Sequence, residues 1–168
     1  MMERNPPTAE RRARTRRRAA ALLCVLGALA WGAAEAKPIK ITTATQLQFG
    51  RFTRTNTAGT LTVSATGTRT VTGGVVALTG GTIAAARFNI TGDPSVNYTI
   101  TLPPTANITS GAQTMSVSFN STLVTGGTLV RMLNASGTDT LSVGAVLNVS
   151  ATQVAGSYTG SFVMTVNY

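Results

Sequence analysis

The chain has 168 residues, with 14 Lys and Arg against five Asp and Glu, no histidine, one cysteine and a formal charge of +9. That inventory argues against most hydrolytic and metal chemistry, which draws on clustered His, Cys, Glu and Asp. The charge argues weakly for nucleic acid, because seven of the basic residues and three of the acids fall within the first 36 positions, leaving +5 spread thinly over the rest.

The first predicted element is a leader. MMERNPPTAERRARTRRR is basic, AALLCVLGALAWG is apolar and of signal-peptide length, and Ala34-Glu35-Ala36 is a small-x-small site directly before Lys37. The apolar run is too short to span a membrane. Residues 1–36 are therefore expected to be a cleavable signal helix cut after Ala36. Cys24 would leave with it, so the mature chain uses no disulfide.

Beyond the leader, short alternating runs recur about every ten residues between turn signals, in a chain rich in Thr, Ser, Gly and Val and poor in helix formers. KPIKITTATQLQFG places Ile39, Ile41, Thr43, Thr45, Leu47 and Phe49 on one face. TLTVSAT follows, with Leu61 and Val63, then TRTVTGGVVALTGG and ARFNITG, with Phe88 and Ile90. After an Asp93-Pro94 turn, VNYTITLPP carries Tyr98, Ile100 and Leu102, and QTMSVSFN carries Met115, Val117 and Phe119. TLVRML is a shorter piece, and LSVGAVLNV aligns Leu141, Val143, Ala145, Leu147 and Val149. The last run, YTGSFVMTVNY, turns Tyr158, Gly160, Phe162, Met164, Val166 and Tyr168 the same way, with Val163 as the apolar exception on the other face. A short loop joins these final two runs, which predicts an antiparallel hairpin. The fold expected is an all-β, immunoglobulin-like antiparallel sandwich of residues 50–168, preceded by residues 37–49 as an extension or first strand.

Chemistry-bearing residues are few. Asp93 and Asp139 are the only acids after the leader, and both read as turn residues. Serines lack a neighbouring base, the glycines lack the lysine of a phosphate loop, and no cofactor, metal site or catalytic residue is expected. Six Asn-x-Ser/Thr triplets, at Asn89, Asn97, Asn107, Asn120, Asn134 and Asn148, read as polar strand faces, because residues two apart share a face. Arg51, Arg54, Arg69, Arg87 and Arg131 read as solubilising or edge-protecting charges.

The tail VGAVLNVSATQVAGSYTGSFVMTVNY, with ATQLQFG and GTRTVTGGVVAL, resembles a family of bacterial secreted proteins, domain of unknown function 4402, over nearly all of residues 39–168. That family is similar in turn to the pilins of Gram-negative chaperone-usher systems. The resemblance implies a subunit that lacks one strand of its sandwich and leaves a groove beside its C-terminal strand. A periplasmic chaperone fills the groove first, and the extension of a like subunit then replaces it. Residues 37–49 would be the donor, anchored by Ile39, Ile41, Leu47 and Phe49, and Leu141, Val143, Leu147, Phe162, Met164, Val166 and Tyr168 would form the acceptor groove. The partners implied are a chaperone, an outer-membrane usher and like subunits in a homopolymer. The expected location is the cell surface or a fimbrium, reached through the periplasm, with adhesion as an accompanying role. The alternative reading is a self-complemented monomeric sandwich, secreted or surface-bound, that binds a ligand. The two differ in whether residues 37–49 fold back or leave.

Overall fold

The computed structural model describes residues 35–121, 124–125 and 127–168, apart from the side chains of residues 120–126. Most of the expected signal segment, Ala34 included, therefore lies outside the described residues. Among them there is no helix, and fifteen strands follow one another. The first five are β1 (Lys40–Thr45), β2 (Gln48–Phe49), β3 (Phe52–Val63), β4 (Arg69–Ala77) and β5 (Ile83–Ala84). β6 (Ala86–Thr91), β7 (Asn97–Thr101), β8 (Thr105–Ser110), β9 (Gln113–Ser118) and β10 (Asn120–Ser121) come next. β11 (Val124–Thr125), β12 (Thr128–Met132), β13 (Thr138–Val143), β14 (Ala145–Val149) and β15 (Thr165–Asn167) complete the order.

All pairings among the described residues are antiparallel. One sheet runs β1-β6-β13, a second β12-β7-β15 and a third, of five strands, β4-β3-β14-β9-β8. Short two-stranded ladders join β2 to β5 and β10 to β11. The three larger sheets turn their apolar faces to one core, an arrangement consistent with a β-sandwich. Leu61 and Val63 of β3, Ile90 of β6, Ile100 of β7, Leu141 and Val143 of β13 and Leu147 of β14 are almost wholly removed from water. Burial on β6 follows the predicted alternation, with Ala86, Phe88 and Ile90 in and Arg87, Asn89 and Thr91 out.

Two expectations are corrected here. LSVGAVLNV is not one strand, because the chain changes sheets at Gly144: β13 pairs with β6, whereas β14 pairs with β3 and β9. A Cβ at Gly144 would collide with the Val63 carbonyl and stand 2.7 Å from the Ala65 nitrogen, so the switch requires a residue without one. The expected hairpin between the last two runs is also absent. β15 pairs with β7 instead, Val166 opposite Ile100. Sequence proximity favours a hairpin, but β14 is already paired with β3 on one edge and β9 on the other and has none left for the terminal run. The loop of residues 150–157 is held by Arg54, whose guanidinium donates to the carbonyls of Gln153 and Ala151, both at 2.5 Å.

Asp139 is likewise no turn residue. It lies on β13, where Arg131 of β12 donates to both its oxygens at 2.6 and 2.8 Å and the buried Tyr98 hydroxyl donates to it at 2.5 Å. Burial alone would raise its carboxyl pKa, but the bonds from Arg131, Tyr98 and the Thr140 amide outweigh it and hold the carboxylate below its usual range. Burial pushes the Tyr98 phenol up, and the bond to the carboxylate adds to that. Arg54, Arg69 and Arg131 are thus structural donors, Arg69 serving the carbonyls of Arg51 and Leu78. Four of the Asn-x-Ser/Thr asparagines, Asn89, Asn97, Asn107 and Asn148, sit exposed on strands as expected. Asn134 instead closes a turn, its side-chain Oδ1 accepting the Ser136 and Thr138 amides.

Candidate functional site

The terminal run keeps its predicted alternation from Phe162 to Val166, but Gly160 and Tyr168, expected on the same inner face, are exposed, and only its end forms a regular strand, β15. Tyr158, Phe162, Met164 and Val166 are half-buried and the intervening residues exposed, Val163 at 80 %. Among the described residues its backbone is tied at two places: Thr159 bridges to Thr109 on the edge of β8, and β15 pairs with β7. Between them, residues 160–164 pair with no other described strand. At Gly160 the backbone comes so close to β8 that a Cβ would collide with the Asn107 carbonyl. Unpaired extended backbone at a sheet edge offers a row of free donors and acceptors to another strand.

Beside this run lies a cavity of ≈ 1430 Å³. One wall is the N-terminal segment, with Ile41, Leu47, Phe49 and Phe52, and the facing wall is residues 153–164. Its floor is core: Phe88 of β6, Met115 and Val117 of β9, Phe119, and Leu147 and Val149 of β14. Phe162 joins wall to floor, with its ring 4.4 Å from that of Phe119 and edge-on to Phe88 at 6.1 Å. The loop above is tied by Arg54 and by Tyr158, whose hydroxyl accepts from the Gln153 amide and donates to the Val154 carbonyl, each at 2.7 Å.

The structure therefore brings Ile41, Leu47, Phe49, Leu147, Phe162 and Met164 around one cavity. Ile39 and Val166 pack half-buried against the core outside it. Leu141 and Val143 are fully buried in β13 and do not line it. Tyr168 lies apart, its hydroxyl accepting the Asp93 amide at 2.6 Å and donating to the Lys37 carbonyl at 2.8 Å. Ala36 and Lys37 are exposed and precede β1. Within one chain β1 is paired, Ile41 opposite Ile90 of β6, so the segment read as a donor stands as a wall of the groove, held along one edge. The floor residues Phe88, Met115, Val117, Phe119 and Val149 were readable as inward faces of their strands. Their convergence was not, because alternation gives a residue's face and not its neighbour.

Among the described residues no group of three His, Cys, Asp or Glu stands together, and the side chains that define the cavity carry no nucleophile–base pair. Its volume exceeds the roughly 300–1,000 Å³ of typical small-ligand pockets, and its wall carries unpaired backbone. Both properties suit an extended polypeptide, which brings its own backbone donors and acceptors, better than a compact apolar ligand.

The sequence model of the family described as domain of unknown function (DUF4402) matches residues 39–168, and the chain belongs to that family. No curated protein and no solved structure matches the chain.

Proposed function

We propose that this member of the DUF4402 family is a secreted structural subunit of a bacterial surface appendage, an immunoglobulin-like domain that assembles by strand donation between copies. The observation that carries the reading is the unpaired run of residues 160–164 beside the apolar cavity. A strand laid there would gain main-chain bonds along that run and bury alternate side chains against Phe88, Phe119 and Phe162. The donor is the segment 37–45 of a neighbouring copy, whose strand β1 pairs with β6 along one edge in the single chain. Exchange of that kind is head to tail and builds an open filament. Residues 1–36 act as the export signal, and a periplasmic chaperone and an outer-membrane usher handle the subunit before assembly.

The chain processed in a periplasm is compared, unheated and boiled, on a denaturing gel with a variant lacking residues 37–45 and with Phe162→Asp. A ladder from the unheated wild type that collapses on boiling and is missing from both variants is expected. A folded wild-type chain that is monomeric at both temperatures overturns the reading. That outcome favours the second reading, a self-complemented ligand-binding module, which the pairing of β1 with β6 in the same chain supports.

A further inference from the structure

We infer that the amino group left on Lys37 by cleavage after Ala36 is bound by Asp93, and that this ion pair seats β1 on its own chain. The inference rests on the signal-peptide reading for the amine and on the strand-donation reading for its consequence. The Lys37 nitrogen donates to Asp93 Oδ1 at 2.9 Å. Asp93 belongs to the turn between β6 and β7, and the same turn holds Tyr168, whose hydroxyl accepts the Asp93 amide and donates to the Lys37 carbonyl. Gly92 makes room, since a Cβ there would collide with the Tyr168 hydroxyl. Residue 37, the β6–β7 turn and the residue following β15 are thus tied into one polar cluster.

Cleavage changes the chemistry of one member. An amide with a single N–H becomes an ammonium with three, its charge placed on a carboxylate already at hydrogen-bond distance. Glu35, a like charge to Asp93, departs at the same time. Glu35 and Ala36 are exposed, so their loss uncovers no core. Processing would therefore finish a site whose other parts are in place beforehand. A strand that must leave to be donated would first have to break it.

The test is amide hydrogen exchange of β1 in the processed chain, the same chain with its amine acetylated, Asp93→Asn, and acetylated Asp93→Asn. An ion pair this exposed is worth little, so blocking the amine or removing the charge should each speed β1 exchange by roughly two- to fivefold. Acetylating Asp93→Asn should add nothing. Equal exchange in free and acetylated chains overturns the inference, as does an acetylation effect of the same size in Asp93→Asn. Failure of the assembly reading is separable: exchange that responds as stated while no ladder forms leaves the amine site standing, and a ladder without the response overturns the amine site alone.

Discussion

Replacing Asp139 by alanine tests the polar contact that joins β7, β12 and β13. Its carboxylate accepts two bonds from Arg131, one from Tyr98 and one from the Thr140 amide, at 2.5 to 2.8 Å. The Asp139→Ala variant strands a buried phenol and a guanidinium with no other acidic partner described. Breaking one partner of a buried ion pair costs about 3–5 kcal/mol. The Arg131 side chain is 28 % exposed and the Asp139 side chain 15 %, so water recovers part of that and roughly 2–4 kcal/mol is the expected loss. Urea unfolding at pH 7 measures it, with Tyr98→Phe and the double variant completing a cycle. A loss under about 0.5 kcal/mol, or strict additivity of the two changes, would refute the network's role. The pH dependence has a defined sign. The folded carboxyl pKa is lowered, so the contribution is present above the unfolded value of roughly 3.9 and is lost as pH falls through the folded value. The gap between wild type and Asp139→Ala should therefore narrow in acid.

Two further outcomes bear on the core and the sheet switch. Gly144→Ala should destabilise by about 1–3 kcal/mol, because the new methyl meets backbone atoms of residues 63–65 that cannot turn aside as a flexible side chain would; thermal unfolding reads it, and an unchanged midpoint contradicts the close approach. Leu147→Ala should cost about 2–5 kcal/mol by denaturant titration, whereas Val163→Ala, on the exposed side of the terminal run, should stay within about 0.5 kcal/mol, and equal losses would contradict the inward–outward assignment.

Alternation made most of the strands legible and gave the correct face for Ile41, Leu47, Phe49, Phe88, Met115, Val117, Leu147 and Phe162. Strand β8 escaped because TANITS offers only Ala106 and Ile108 as apolar positions, directly after two prolines. The break at Gly144 escaped because alternation continues across it unbroken while the chain changes partners. Apart from hairpins such as β3–β4 and β8–β9, much of the pairing is non-local: β1 meets β6, β14 meets β3, and β15 meets β7. A single chain records which face a residue presents but not which distant strand lies beside it. Asp139 was misread for the same reason, since Tyr98, one of its partners, lies 41 residues away.

The sheet change at Gly144 also constrains the order in which the molecule can be completed as it emerges N-terminus first. β3 and β4 form a hairpin as soon as both are available, but β3 lacks its other neighbour until β14 arrives. β6 waits for β13, and β7 waits for β12 and β15. Over most of the chain's emergence, the inner faces of β3, β6 and β7 therefore have no complete layer to close against, and such unpaired apolar edges invite aggregation. Placing β13 and β14 consecutively delivers the missing strands of two sheets within a dozen residues. Closure of the core is thereby a late and nearly simultaneous event, and the interval before it is when the molecule is most exposed to capture by another chain.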